Sequence, residues 1–145
     1  MNKILKIIIS IYLTIFCSTF ALSKENFFDD ALKMYQDEKY DEARFMFERN
    51  IVYNPKDATS YLYLAKIYNY NKDQKKEEYN LETALLIEPN NEEVLLMLMK
   101  IALTKSNYKK VKDFSQTFIK VCNKLCGENT KIQNSLKNIE PKNAP

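Results

Sequence analysis

Histidine and glycine, two residue types on which many active sites depend, are absent or nearly absent from this chain of 145 residues. The lack of histidine removes the commonest general base and the commonest metal ligand, and it excludes a serine–histidine or cysteine–histidine nucleophile pair. The single glycine, Gly127, cannot build the glycine-rich loop that cradles phosphate groups. We therefore predict that the protein is not an enzyme and binds no cofactor or metal.

Helix-breaking residues are also few, and they lie where helices should end. Proline occurs only at Pro55, Pro89, Pro141 and Pro145. No segment alternates apolar and polar residues for long enough to indicate a β-strand, whereas apolar residues recur at spacings of three and four. This pattern predicts an all-α protein, with helices over residues 25–37, 40–53, 58–70, 74–87, 92 to at least 102, 108–125 and 128–139.

Polar residues and the glycine fit several of these helix ends. Asp57 and Asn91 can cap the third and fifth helices, because their side-chain oxygens accept hydrogen bonds from the first exposed amides. Glu92 and Glu93 follow in the first turn of the fifth helix, where the helix dipole favours negative charge. We expect Gly127 to end the sixth helix in the left-handed conformation.

The first 23 residues differ in composition from the rest. Lys3 and Lys6 accompany an apolar run that continues to Phe20, and Ala21–Ser23 then fits the small-x-small rule for cleavage before Lys24. This pattern predicts a signal peptide over residues 1–23 and export to the periplasm or cell envelope of a bacterium. If the segment is not cleaved, it is a membrane anchor, since its length is near the lower limit of about 17 residues for a spanning helix.

The charge of the chain gives no reason to expect a nucleic-acid partner. The formal net charge is +3, and removing the two charges of Lys3 and Lys6 leaves +1. No cluster of lysine and arginine lies beside aromatic residues on one helix face, as a nucleic-acid interface would require. The charge therefore predicts no nucleic-acid partner, and a scaffold of repeated helix pairs favours a protein or peptide partner, including a second copy of the chain.

One interval, 34 residues, recurs along the chain with the same chemical type at each step. It separates Pro55 from Pro89, Phe27 from Tyr61, Ala31 from Ala65, and Phe47 from Leu81. A fixed spacing of this size indicates an internal repeat of helix pairs, in which each pair buries its apolar face against the next.

The pattern resembles that of the tetratricopeptide repeat (TPR), a family built from 34-residue helix–turn–helix units. In residues 24–57 the resemblance rests on Phe27, Ala31, Tyr40, Ala43, Phe47 and Pro55. In residues 58–91 it rests on Tyr61, Leu64, Ala65, Tyr68, Leu81, Ala84 and Pro89. Residues 92–125 keep Leu95, Leu98, Tyr108 and Val111.

The sequence departs from the family pattern at five positions. In the first repeat Asp30 replaces the usual leucine, and Asn50 replaces a small residue. In the second repeat Glu77 stands where alanine is usual. The third repeat has Met99 at the small-residue position and Asn123 where proline is expected.

The resemblance implies a right-handed α-solenoid of about three hairpins over residues 24–140. A helix over residues 128–139 would cap the last hairpin, and residues 141–145 would form a disordered tail. The turn position that usually holds glycine is occupied here by Glu38, Lys72 and Ser106. A left-handed backbone at those residues would cost up to about 1 kcal/mol each, so we expect a domain of modest stability.

The resemblance also implies a concave, partner-binding face formed by the first helix of each hairpin. Carried over by repeat alignment, its residues are Phe28, Leu32, Tyr35, Gln36, Leu62, Lys66, Asn69, Tyr70, Leu96, Lys100 and Leu103. Lys66 and Lys100 would meet an acidic or C-terminal carboxylate of a peptide, although Leu32 occupies the matching position of the first repeat. Alternatively, the two lysines only keep an apolar face soluble.

Cys122 and Cys126 are the only cysteines that remain after removal of the first 23 residues. Residues four apart in a regular helix have Cα atoms about 6 Å apart, near the upper limit for a disulfide, so either a disulfide or two buried thiols fits the sequence. Zinc would need further ligands.

These observations predict an exported TPR interaction module or scaffold of the bacterial cell envelope, which binds a peptide or protein on its concave face. One alternative is a membrane-anchored assembly subunit of an envelope complex. Another, from a different class, is a cysteine-based redox or metal-binding protein.

Overall fold

A computed structural model describes residues 27–139, which form seven α-helices and no β-strand. The helices are α1 (Phe27–Gln36), α2 (Tyr40–Tyr53), α3 (Ala58–Tyr70), α4 (Gln74–Ile87), α5 (Glu92–Thr104), α6 (Tyr108–Val121) and α7 (Cys126–Ile139). The all-α prediction is confirmed. The proposed signal peptide, its cleavage site, the start of the first predicted helix and the tail lie outside the described residues. None of these seven helices is long and apolar enough to cross a bilayer.

The two predicted N-terminal caps are confirmed. The side chains of Asp57 and Asn91 accept hydrogen bonds from Thr59 N and Val94 N, as predicted. Helices α2, α3 and α4 have the predicted bounds. The structure adds two caps that the sequence analysis did not identify, at Asp73 and Asn107.

The predicted end of α6 is wrong. The helix ends at Val121, because Cys122 adopts an extended backbone, with φ −61° and ψ 140°. Gly127 does not end α6 in a left-handed conformation, since it lies in the first turn of α7 and no glycine among residues 27–139 has a positive φ. The chain therefore turns over residues 122–125, and α7 begins two residues earlier than predicted.

The helices form three consecutive hairpins, α1–α2, α3–α4 and α5–α6, and α7 packs against both helices of the last one. Their buried side chains fall into three clusters. The first cluster contains Ala31, Ala43, Phe47, Leu64 and Ile67. The second contains Leu62, Ala65, Leu81, Ala84, Val94, Leu98 and Ile101. The third contains Leu95, Leu96, Met99, Ala102, Val111, Phe118, Ile132 and Leu136. Each cluster joins one hairpin to the next element, so every hairpin is stabilised by its neighbour.

The turn inside each hairpin contains one residue in the left-handed region. These residues are Glu38, Lys72 and Ser106, with φ values of 61°, 59° and 54°. The amide of the residue after each donates to a carbonyl near the end of the preceding helix, as in Asp73 N to Tyr68 O at 2.9 Å. Because none of the three is glycine, each turn costs up to about 1 kcal/mol, as expected from the sequence.

The departure at Asn50 is explained by hydrogen bonds inside the protein. Asn50 is buried on α2, and its Nδ2 donates to Asp57 Oδ2 at 2.7 Å and to Ser60 Oγ at 2.8 Å. Its Oδ1 accepts from Asn54 Nδ2 at 3.1 Å. The side-chain amide of Asn50 therefore has its hydrogen-bond partners within the first two hairpins, and it joins α2 to the start of α3.

Candidate protein-binding surface

The predicted binding residues lie on α1, α3 and α5, the first helices of the three hairpins, but they differ in accessibility. Leu62 and Leu96 are each only 6% exposed and belong to the second and third core clusters. They offer almost no surface to a partner. The other nine are half-buried or exposed, and Tyr70 is 65% exposed. Their role in binding stays a prediction.

Aromatic side chains connect α1 to α3 across this surface. The ring of Tyr63 lies 4.9 Å from that of Tyr35 and 6.3 Å from that of Phe28, measured between centroids, with edge-to-face geometry in both pairs. Tyr40 continues the contacts, at 5.4 Å from Tyr35 and 4.5 Å from Tyr70. Such pairs contribute roughly 0.5–1.5 kcal/mol each beyond the area they bury. Burial also raises the pKa of Tyr35.

Tyr63 and Tyr40 are not among the residues predicted for this surface. Tyr63 does not belong to the TPR pattern of α3, and Tyr40 was named only as one of the residues that carry the TPR resemblance. The composition of α3 could have indicated further aromatic residues at the surface, because tyrosine recurs at residues 61, 63, 68 and 70 along this one helix. A tyrosine-rich helix has more rings than one core stripe can bury.

Both lysines of the predicted surface have carboxylate partners within the protein. Lys66 Nζ lies 2.9 Å from Glu93 Oε1 and 4.7 Å from the centroid of the Tyr63 ring. Lys100 Nζ lies 3.9 Å from Glu128 Oε2. The first pair joins α3 to α5, and the second joins α5 to α7. A partner carboxylate must therefore compete with these pairs, or bind beside them.

Asn69 and Lys100 lie on a common cleft of about 280 Å³ where α3, α4 and α5 meet. The cleft is also lined by Gln74, Glu77, Met97, Ile101 and Thr104. A hydrogen bond crosses it, from Gln74 Nε2 to Thr104 Oγ1 at 3.3 Å. The predicted surface thus includes one concave, polar feature between the second and third hairpins.

Glu77, the departure from alanine in the second repeat, lines this cleft and is only 5% exposed. Asn69 Nδ2 donates a hydrogen bond to Glu77 Oε1 at 2.9 Å. Burial raises the pKa of Glu77, the bond from Asn69 opposes that change, and the neighbouring charge of Glu78 adds to it. The repeat pattern marks the departure at Glu77 but does not associate this residue with the predicted binding surface.

A second carboxylate, that of Glu92, holds the turn between α6 and α7. Glu92 Oε2 accepts hydrogen bonds from the backbone amides of Asn123, Lys124 and Leu125 at 2.7, 3.1 and 3.3 Å. Successive amides that converge in this way form a concavity suited to an anion. These bonds, led by that from Asn123, lower the pKa of Glu92.

The sulfur atoms of Cys122 and Cys126 lie within bonding distance at the two ends of the same turn, with their Cα atoms 5.2 Å apart. The helical separation of about 6 Å expected from the sequence does not apply, because the chain is not helical between these residues. No group of three His, Cys, Asp or Glu residues in the described part of the chain could hold a metal ion.

No protein-family model matches the sequence. No curated protein matches it by sequence either. Several solved structures do share its fold. The type III secretion chaperone SycD of Yersinia enterocolitica, crystallised with a peptide of the translocator YopD, superposes with a TM-score of 0.66 at 16% identity, over 80% of this chain and 91% of SycD.

Two further solved structures also share the fold of this chain. The TPR domain of Sgt2 from Aspergillus fumigatus has a TM-score of 0.66 at 13% identity, over 86% of this chain and 87% of the Sgt2 domain. The CopN–Scc3 complex matches with a TM-score of 0.62 at 10% identity, over 85% of this chain and 74% of the matched chain. At such identities the likeness concerns the fold. The chain has the tetratricopeptide-repeat fold, a helical solenoid of three hairpins closed by α7.

Proposed function

We propose that the protein is an interaction module that binds a peptide or protein across α1, α3 and α5, the first helices of its hairpins. The observation that carries this proposal is the row of accessible side chains on these helices, which stacking of the hairpins leaves uncovered. Tyr70 and the half-buried rings of Phe28, Tyr35 and Tyr63 provide rigid, amphipathic contact area of the kind enriched at protein interfaces.

The structural neighbours support this proposal by analogy. SycD was solved with a bound peptide, and CopN was solved in a complex with Scc3. Because the sequence identities are low, the analogy concerns a way of using the fold and gives no partner. A purely interacting role also agrees with the lack of histidine and of glycine-rich loops in the sequence.

The test is partner capture with a matched pair of tyrosine variants. Tyr70 and Tyr79 are 65% and 67% exposed, but Tyr70 lies on α3 and Tyr79 on α4, the second helix of the same hairpin. The protein should be purified from its native source, the co-purifying protein identified, and the affinity of the purified pair measured. We expect Tyr70→Ser to weaken binding at least tenfold and Tyr79→Ser to leave it within twofold. Equal effects would exclude the first-helix surface.

We also propose that the domain is exported to the bacterial cell envelope. The support is the signal-like composition of residues 1–23, together with a cysteine pair that an oxidising compartment would keep bonded. The mass of the mature protein tests this proposal. A chain that begins at Lys24 agrees with the predicted cleavage, whereas an intact N-terminus indicates a membrane-anchored subunit.

Within that proposal, Cys122 and Cys126 form a structural disulfide, and a redox or metal-binding role is the competing function. The disulfide would close the turn whose amides hold Glu92. Thiols should be counted on the exported protein with and without a reductant. We expect none before reduction and two after it. Two free thiols in the untreated protein would exclude the disulfide.

A further inference from the structure

Glu77 is a buried carboxylate at a position where the other two hairpins have small or apolar residues. The equivalent residues, 34 positions away on either side, are Ala43 and Val111, and both are fully buried. Its hydrogen-bond donor Asn69 corresponds in the same way to Tyr35 and Leu103. The second hairpin therefore replaces an apolar contact with a polar pair. Burying a carboxylate is unfavourable unless it is paired, so the replacement weakens the hairpin unless another group compensates it.

Contacts within the protein compensate the burial of the Glu77 carboxylate only in part. Glu77 Oε1 accepts the bond from Asn69, whereas Oε2 accepts no hydrogen bond from any residue in the range 27–139 and is open to the cleft, since no fully buried side-chain oxygen in that range lacks a partner. No lysine or arginine in that range forms an ion pair with this carboxylate. Asn50, the other buried polar departure, has partners for both its nitrogen and its oxygen within the protein. Two of the described buried side chains thus have capacity for a further partner, Asn80 through its amide oxygen and Glu77 through Oε2, and of the two only Glu77 carries a charge and lines the cleft.

The other walls of the cleft fit the side chain of a lysine. The half-buried Met97 offers apolar surface for a methylene stem, whereas Ile101 also lines the cleft but is only 5% exposed. Asn69, Gln74 and Thr104 carry amide and hydroxyl oxygens that can accept from an ammonium group, which has three N–H donors and no acceptor. At about 280 Å³, the cleft is slightly smaller than the roughly 300–1,000 Å³ typical of small-molecule pockets, as suits a single side chain.

The one cation that lines the cleft is held elsewhere. Lys100 Nζ lies 3.9 Å from Glu128 Oε2, and that glutamate also pairs with Lys131. Lys100 is therefore drawn toward α7 and away from Glu77. Its charge disfavours a second cation in the cleft, but the neighbouring carboxylate of Glu128 offsets part of that repulsion.

We propose that the cleft between α3, α4 and α5 is a binding site for a lysine side chain of the partner, with the Glu77 carboxylate as its counterion. The inference rests on the proposed function, because the lysine would be presented by the peptide or protein bound across the first helices. It adds a specificity element to that surface: partners with a lysine at the matching position are bound in preference to those without one.

The test uses a small probe, so that it does not depend on knowing the partner. Nα-acetyl-lysine methylamide is titrated into ¹⁵N-labelled protein, and Nα-acetyl-norleucine methylamide serves as the uncharged analogue of the same stem length. We expect chemical-shift changes centred on Asn69, Glu77 and Thr104, with a Kd of roughly millimolar for a ligand of this size. The norleucine derivative should bind at least tenfold more weakly.

Two substitutions on α4 assign the effect to Glu77. Glu77→Ala restores the residue type of the first hairpin, so it should fold, and it should weaken lysine binding at least tenfold. Glu77→Gln keeps the shape and should weaken it similarly. Glu82→Ala removes an equal charge from the exposed side of the same helix and should leave the Kd within twofold. Unfolding temperatures report whether each variant is intact.

Equal binding of the two derivatives, or lysine binding that survives both substitutions at Glu77, would overturn the lysine site. A lack of any shift changes at tens of millimolar probe would overturn it too. None of these results bears on partner capture through Tyr70, so the proposed function and the lysine site can fail independently.

Discussion

Lys66 on α3 and Glu93 on α5 form an ion pair, with 2.9 Å between lysine Nζ and glutamate Oε1. The same ammonium lies above the ring of Tyr63. This contact joins the first helices of the second and third hairpins at the predicted binding surface. It gives Lys66 a stabilising role that is independent of any partner.

A double-mutant cycle on this pair should therefore give a measurable coupling free energy. We expect about 0.5–1 kcal/mol from urea unfolding of Lys66→Ala, Glu93→Ala and the double variant, since the lysine side chain is only partly exposed. The swapped pair Lys66→Glu with Glu93→Lys should recover part of the loss. A coupling near zero would mean that the contact between α3 and α5 is apolar in origin.

The left-handed turn residues offer a direct route to higher stability. Replacing Lys72 by glycine removes the steric strain at φ 59° and should raise the free energy of unfolding by about 0.5–1 kcal/mol. Glu38→Gly and Ser106→Gly should act alike and add to it, because the three turns are separate. Chemical denaturation measures the changes.

The matched control for the turn substitutions is glycine in a helix interior. Gln116 is exposed in the middle of α6, and Gln116→Gly should lower the free energy of unfolding by about 1 kcal/mol. A loss of stability at Lys72→Gly would show that the lysine side chain contributes more than its backbone strain costs.

Glu77 should contribute a decrease in the free energy of unfolding as the pH rises. Burial raises the pKa of this carboxyl, so the folded protein binds more protons than the unfolded chain between the two pKa values. Its contribution to the free energy of unfolding is present below the unfolded pKa, about 4 for glutamate, and is lost as pH rises through the folded pKa. Glu77→Gln should lack this decline in urea titrations. Parallel profiles for wild type and variant would show that the carboxyl is solvated.

Glu92 should change the stability with pH in the direction opposite to Glu77. Backbone amides of the turn after α6 lower its pKa, so its stabilising contribution is present above the unfolded pKa and is lost as pH falls through the folded value. Glu92→Gln should flatten the acid limb of the stability profile. Glu42→Gln, a change at an exposed position on α2, serves as the control. An unchanged acid limb in Glu92→Gln would mean that the turn holds its shape without the carboxylate.

The sequence could predict what is encoded locally. Asp57 and Asn91 act on amides two or three residues away, and the 34-residue interval places Ala31 and Ala65 at buried positions between packed helices. The end of α6 could not be predicted in this way. Its turn is held by Glu92, which lies 31 to 33 positions earlier in the chain. That contact exists only once α5 and α6 are packed.

The predicted binding surface shows the same limit of local sequence information. Repeat alignment assigned its residues to the correct helices, but it could not tell that Leu62 and Leu96 are covered by neighbouring elements. It also marked Glu77 as unusual without indicating the cleft, because the cleft walls come from three separate helices. Accessibility depends on how hairpins stack, and a helical period does not contain that information.

The first two core clusters each span two hairpins and the third joins the last hairpin to α7, and this has a consequence for fluctuations in the native state. Within residues 27–139, the α3–α4 hairpin shares buried side chains with elements on both sides, whereas α1–α2 shares them on one side only. Local unfolding should therefore begin in the α1–α2 hairpin and reach the α3–α4 hairpin last. A partner bound across α1, α3 and α5 would hold the α1–α2 hairpin against the α3–α4 hairpin. Hydrogen-exchange protection should therefore rise in α1, even for a ligand that makes its strongest contacts with α5.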